Sequence, residues 1–183
     1  LSLAHAKSSS GIVDAKGSML VEWADSCDGW TIDQRYRLTV TSDESEDSQV
    51  VVSFSTWESK DGNRYRFNVR KLVNGQAEDE IKGTAEVTGA NGGTATYLGP
   101  EQDPTELPPG TLFPTRHTIE LLQHALAGDK LMSRPVFDGA DTDGLTEVNA
   151  VIGERTEVKD PSLNPTLLAG IPAWPVRLAF FPA

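Results

Sequence analysis

From Trp30 to Val40 the chain alternates. Trp30, Ile32, Tyr36, Leu38 and Val40 hold the even positions, and Thr31, Asp33, Arg35, Arg37 and Thr39 the odd ones. A period of two sends successive side chains to opposite faces of an extended strand, and a helix of 3.6 residues per turn cannot use it. Gln34 is the only break. Similar runs recur at Met19 to Trp23, Gln49 to Trp57, Arg64 to Val73, Ala77 to Val87, Thr94 to Leu98, Val136 with Phe137, Thr146 to Ile152 and Trp174 to Phe181. Most are rich in Val, Thr and aromatic residues, which suit a pleated surface. Between them lie turn signals: Lys60-Asp61-Gly62-Asn63, Asn74-Gly75, Gly89 to Gly93 and Asp138-Gly139. Spacings this short predict hairpins, hence an antiparallel meander.

A single helix is predicted over Thr115 to Ala127, introduced by Pro114 and stopped by Gly128. Its apolar stripe reads as Ile119, Leu122 and Leu126, with Leu121 and Ala125 beside them, and is expected to cover one face or end of a sheet. Pro100, Pro104, Pro108 and Pro109 predict irregular chain from Gly99 to Gly110. The acidic run Asp43, Glu44, Glu46, Asp47 predicts a solvated loop. The fold class is therefore mainly β, an open, barrel-like antiparallel meander with one short α-helix, and residues 1–183 form one β-rich domain. No repeat of 20 to 50 residues is visible, which disfavours a propeller or solenoid.

Charge narrows the partners. With 16 Lys plus Arg against 27 Asp plus Glu, the net charge is −11. No general positive field gathers nucleic acid or anionic lipid, so neither is an expected partner. No window approaches the roughly 18 apolar residues of a spanning helix, and Leu1 to Ser10 lacks the order of a signal peptide. The one cysteine, Cys27, has no mate within the chain, which on composition alone favours a reducing compartment or a missing partner thiol.

Catalytic and metal signatures fall short of the spacing their chemistry needs. His117 and His124, seven residues apart, share a helix face but stand about 10 Å apart along the axis, too far for one ion. His5 adds no defined spacing. In Asp138-Gly139-Ala140-Asp141-Thr142-Asp143-Gly144 a calcium loop fails at both ends, because Gly139 and Ala150 fall where carboxylates belong. An Asp/Gly turn explains it better. Ser8-Ser9-Ser10-Gly11 reads as a flexible loop, with no Gly-x-Ser-x-Gly or Ser-x-x-Lys pattern in the chain. Cys27 is flanked by Asp25 and Asp28, not by the cations that activate a nucleophilic thiol. No catalytic residue, metal ligand or cofactor is assigned. The most basic stretch, Arg64, Arg66, Arg70 and Lys71, suggests an anion or partner patch, with cross-strand pairing to Glu78, Asp79 and Glu80 as the plainer reading. A two-residue turn sets Arg70 against Asp79; a three-residue loop sets Arg70 against Glu80 and Val69 against Ile81, and keeping apolar against apolar favours the second.

Several segments, taken in order, resemble the envelope integrity protein B (EipB) family of alphaproteobacterial periplasmic proteins. They are Cys27-Asp28-Gly29-Trp30-Thr31 running into Gln34-Arg35-Tyr36-Arg37-Leu38, Thr56 to Gly62, Tyr65 to Arg70, Leu107 to Thr115 with His117-Thr118, Phe137-Asp138-Gly139, and Trp174 to Phe181. The resemblance implies a β-spiral of antiparallel strands with little helix, a periplasmic location after signal-peptide removal, and a non-enzymatic role in envelope integrity. It also implies a periplasmic tetratricopeptide-repeat protein as partner. The family pattern pairs the Cys of Cys-Asp-Gly with a second Cys near the C-terminus, so Cys27 is expected to be half of a disulfide whose mate lies beyond Ala183. On the same pattern the chain is expected to be a fragment, opening within a first strand and stopping before its last ones. The resemblance assigns no binding face. The alternative to a protein-binding role is a carrier or sensor holding a lipid or envelope ligand in a cavity of the curved sheet.

Overall fold

The computed structural model describes residues 2–3, 5–6, 11–43, 47–99, 103–141, 144–157 and 171–182. Seven strands form one antiparallel sheet in chain order: β1 (Ile12–Asp25), β2 (Gly29–Ser42), β3 (Ser48–Ser59), β4 (Arg64–Val73), β5 (Gln76–Val87), β6 (Gly93–Tyr97) and β7 (Thr105–Leu107). The meander expected from the turn spacings is present, and β1 and β7 are its two ends, so the sheet is open. The hairpin at Asn74-Gly75 has both residues at positive φ, 51° and 80°, as a tight two-residue turn requires. A bulge after Lys71 then restores Arg70 opposite Glu80 and Val69 opposite Ile81. The apolar-against-apolar register is thus reached by a two-residue turn plus one extra residue, not by a longer loop.

Two sequence expectations are corrected along this sheet. The segment Gly99 to Gly110 is not wholly irregular: Thr105–Leu107 pairs with β6, since only three residues free of proline are needed to extend the sheet by one short edge. The first strand begins at Ile12 rather than Met19: Asp14, Lys16 and Ser18 hold outward positions, and the inward ones before Met19 are the small Ala15 and Gly17, which leave the alternation faint although the pairing to β2 continues. Within the acidic run only Asp43 and Asp47 are described, and Ser8 to Ser10, Thr142 and Asp143 also lie outside the described residues.

Parity decides what is covered. On β4 the residues Tyr65, Phe67 and Val69 point inward and are buried, while Arg64, Arg66, Asn68 and Arg70 point outward and are exposed. The inward set continues through Ile81, Ala85 and Val87 on β5, Ala95 and Tyr97 on β6, and Leu107 on β7. Phe113 and Phe137 close this core from outside the sheet, with Phe113 stacked on Tyr65 at 4.9 Å between centroids and Phe137 edge-on to Phe67 at 5.5 Å. Gly83 and Gly139 clear space for Phe67: a Cβ at either would lie within 2.5 Å of its ring. Each such aromatic contributes roughly 1.5–3 kcal/mol by leaving water.

The helix α1 (Pro114–Ala127) starts directly after Phe113 and ends at Gly128, whose φ of 87° lets its amide return to Ala125 and His124 carbonyls. After it come β8 (Leu131–Phe137), β9 (Leu145–Ile152), the short pair β10 (Thr156–Glu157) and β11 (Pro172–Ala173), and β12 (Val176–Pro182). A three-stranded antiparallel sheet runs in the order β12-β9-β8. The helix packs on it through a different face from the expected stripe. His117 and Ala125 are buried with Leu121 half-buried between them, whereas Leu122 and Leu126 are 52% and 69% exposed. Polar ties at its first turns, from Glu58 to its opening amides and from Glu120 to Arg134, set this rotation.

Candidate functional site

Asp25, Ser26, Cys27 and Asp28 turn the chain from β1 into β2, and each residue of the turn has a local duty. Cys27 adopts φ 67°, and its amide donates to the Asp25 carboxylate at 2.8 Å. The Asp28 carbonyl accepts the Lys60 amide at 3.1 Å, tying this turn to the next one. Gly29 is fixed by close approach, since a Cβ there would lie 2.3 Å from Trp57 Nε1 and 2.6 Å from the Glu58 carbonyl oxygen. The Lys60 ammonium bridges Asp25 at 2.6 Å and sits 3.2 Å from the Trp30 ring centroid. That ammonium, with the Cys27 amide, holds the Asp25 carboxyl below its usual range. Trp23 meets Trp30 edge-on at 6.3 Å. The Cys27 thiol is exposed and without a disulfide partner among the described residues. The corner presents it on a pinned turn beside two tryptophans.

From this corner the inward parity of β1 to β3 opens into an apolar face. Trp23 stands opposite Ile32, Val21 opposite Gln34 and Met19 opposite Tyr36. Next to them Tyr36 meets Val52 and Gln34 meets Phe54. The break in the alternation is answered internally, because Tyr36 donates its hydroxyl proton to Gln34 Oε1 at 2.6 Å. Here the sheet's inner surface lacks the cover that Phe113 and Phe137 give β4 to β7: Met19 and Trp23 are each 50% exposed.

Where the covered part begins, a buried carboxylate secures the helix. Phe113 offers α1 no side-chain cap. Glu58 of β3, 2% exposed, replaces it by accepting the Thr115 and Arg116 amides, each at 2.7 Å. Burial pushes its carboxyl above the usual range, against the pull of those two hydrogen bonds. One turn on, Glu120 pairs with Arg134 of β8 at 2.5 Å. Nothing local marks Glu58 as a cap; its only trace in sequence is parity, which sets it on the inner face with Phe54 and Thr56.

The two helix histidines separate. His117 is 7% exposed, and its Nε2 has no partner; burial lowers its pKa. His124 faces Asp129 at 2.6 Å. Among the described residues neither is hydrogen bonded to a hydroxyl or thiol, and no three metal-ligating side chains converge. The Asp138 to Gly144 segment joins β8 to β9, with the Asp138 amide on the Gly144 carbonyl at 3.0 Å, and Tyr65 donating to the Asp138 carbonyl at 2.9 Å. Of the basic stretch, only Lys71 forms an ion pair among the described residues, to Glu78 at 2.6 Å. His5 is exposed.

Comparison with known proteins agrees with the motif reading. A family model described as EipB-like matches residues 1–183. The Cell envelope integrity protein EipB of Brucella abortus (strain 2308) is 32% identical over 187 residues, covering 99% of this chain and 65% of its own length. The chain thus spans a little under two thirds of that curated relative. The crystal structure of a beta-barrel-like protein with a domain of unknown function, also from Brucella abortus, superposes with a TM-score of 0.87 at 28% identity, over 98% of this chain and 76% of that one. Among the described residues, no helix is long and apolar enough to cross a membrane.

Proposed function

The chain belongs to the EipB-like family, and from that membership we propose that it is a non-enzymatic periplasmic protein that supports cell envelope integrity by binding another protein. The observation that carries the binding reading is the uncovered inner face of β1 to β3. A sheet face with Met19, Val21 and Trp23 between 45% and 50% exposed costs free energy in water unless something is laid on it. The pinned Cys27 turn at one end of that face fits the family's disulfide. The oxidised mate that the resemblance expects would then lock this corner in an oxidising compartment.

The partner to test is the periplasmic tetratricopeptide-repeat protein that the resemblance implies. A pull-down from periplasm with the tagged protein should recover it, and a deletion strain should become sensitive to detergent. Recovery of no repeat protein, with normal detergent resistance in the deletion strain, overturns the reading. The same exposed face favours one second reading, a carrier for an apolar envelope ligand. Native mass spectrometry separates them: a bound apolar mass after gentle extraction supports the carrier, and a clean protein mass supports the protein-binding role.

A further inference from the structure

The opposite, outward face of the large sheet carries a second pattern, independent of the inner face and of the reading built on it. Along β4 the outward residues are Arg64, Arg66, Asn68 and Arg70, all exposed. A strand repeats its outward positions about every 6.7 Å, so the three guanidiniums form a row. The register sets Arg64 opposite Glu86 and Arg70 opposite Glu80, yet among the described residues none of the three arginines makes an ion pair. Glu80, opposite Arg70, is held by Lys82. Arg64 and Arg66 lie instead over the Trp57 ring of β3, at 5.7 and 4.7 Å from its centroid.

Trp57 is the unusual member. It is an indole on the solvent side of a sheet, half-buried, with its Nε1 edge seated against Gly29. It makes no contribution to the inner core, but it gives Arg66 a flat support. A guanidinium stacked on an indole keeps its N–H edges turned outward and loses little further entropy when they bind an oxyanion. Around this pair the outward residues are short and hydrogen bonding. A shallow cleft of about 300 Å³ holds Thr31, Asp33 and Ser55 beside Trp57. A second, of about 430 Å³, holds Thr84, Thr94, Thr96 and Glu86. They adjoin, because Arg66 of the first stands directly opposite Thr84 of the second. Together they cross five strands, roughly 19 Å at the normal strand spacing.

We propose that this outer face of β2 to β6 is a binding strip for an anionic glycan, with Arg66 on Trp57 as the site for its acidic group and the flanking hydroxyls and carboxylates as partners for its sugar hydroxyls. Mixed composition selects this ligand class. A phosphodiester backbone or anionic bilayer calls for a field of one sign, whereas Asp33, Glu80 and Glu86 lie within the strip and the protein carries −11 overall. Those acids repel a dense polyanion but accept hydrogen bonds from sugar hydroxyls. An isolated carboxylate or phosphate on a polyhydroxyl chain satisfies both kinds of residue.

The test is titration of the purified protein with oligogalacturonate, a carboxylated glycan, followed by tryptophan fluorescence and calorimetry, beside neutral dextran oligosaccharides and phosphatidylglycerol vesicles. Saturable binding of oligogalacturonate is expected, weakened about tenfold by Arg66→Gln, equivalent to about 1.4 kcal/mol, and further by Arg64→Gln with Arg66→Gln. Arg66→Lys should recover only part of it, and Lys130→Gln, in the connection just before β8 and away from the strip, should change nothing. These positions are exposed, so circular dichroism should match the parent. Absence of binding at about 10 mM, binding that the double variant leaves intact, equal affinity for dextran, or preference for the vesicles each overturns the proposal.

Discussion

Glu58 caps a helix whose Thr115 and Arg116 amides lie 57 and 58 residues after it. Its two carboxylate oxygens take the Thr115 and Arg116 amides at 2.7 Å each, in a site from which water is excluded. The contact joins the third strand of the large sheet to the element that leads into the small one, so this side chain fixes the start of α1 and, with the Glu120–Arg134 pair, its rotation. Glu58→Ala leaves two helix amides buried without acceptors, each worth about 1–3 kcal/mol. A loss of about 2–4 kcal/mol is expected in urea unfolding, with Glu58→Gln, which keeps one acceptor, losing less.

The same carboxylate predicts a pH signature. Its folded pKa is raised by burial, so the folded state holds the proton more tightly than the unfolded one. Its titration therefore stabilises the fold below the unfolded value near 4.5, and that contribution is lost as pH rises through the higher folded value. The stability difference between the parent and Glu58→Gln should shrink as pH climbs from about 4 through the weakly acidic range. A difference that grows instead places the folded pKa below the unfolded one and contradicts burial as its main cause.

His117 works in the other direction. Burial lowers its folded pKa, with Glu120 opposing and Arg134 reinforcing the shift. The folded state then binds fewer protons than the unfolded one. Stability from this group is present above the unfolded value of 6.5 and is lost as pH falls below it. Because Glu58 acts in the opposite sense in both proteins, the comparison isolates the histidine: in thermal melts from pH 7.5 to 5 the parent's midpoint should fall relative to that of His117→Leu, whose side chain has no proton to take up.

These groups also mark the boundary of what could be read from the chain. The Trp30 to Val40 alternation predicts the faces of β2 correctly, down to the Gln34 break that Tyr36 satisfies, because strand parity is local. The helix bounds are equally local, set by Pro114 and Gly128. Its buried side is not. A stripe through Ile119, Leu122 and Leu126 is as good by periodicity as the His117, Leu121, Ala125 line that packs, and the choice falls to Glu58 and Arg134, distant in sequence. The short β7 is hidden among prolines for a related reason: three residues of pairing leave no periodicity to detect. The Cys-Asp-Gly motif is visible as letters, but the need for Gly29 appears only when Trp57 arrives beside it.

Gly29 offers a direct check on that corner. A methyl group there would meet Trp57 Nε1 at 2.3 Å and backbone oxygen of Glu58 at 2.6 Å, so the indole or the strand must move. Gly29→Ala should cost about 1–3 kcal/mol as an overpacked site. Gly99→Ala, with nothing within 4 Å, should leave the unfolding midpoint close to the parent's. Since Trp57 would be displaced, the fluorescence of the folded Gly29→Ala protein should change as well.

The inner face of β1 to β3 predicts a separation of stability from binding. Val21 and Trp23 are apolar but 45% and 50% exposed, whereas Phe67 on the same surface, three strands away from β1, is 3% exposed under Phe137. Truncating Phe67 to Ala removes buried area and leaves a cavity, for a cost of about 3–5 kcal/mol. Trp23→Ser and Val21→Ser remove side chains that water already half reaches, and together should shift unfolding by no more than about 1 kcal/mol. If this face is where a partner docks, that mild double variant should lose partner recovery in the periplasmic pull-down while its melting curve stays near the parent's. Full recovery of the partner by the folded double variant would move the docking surface elsewhere. A severe loss of stability would instead mean that the face is already covered in the free protein.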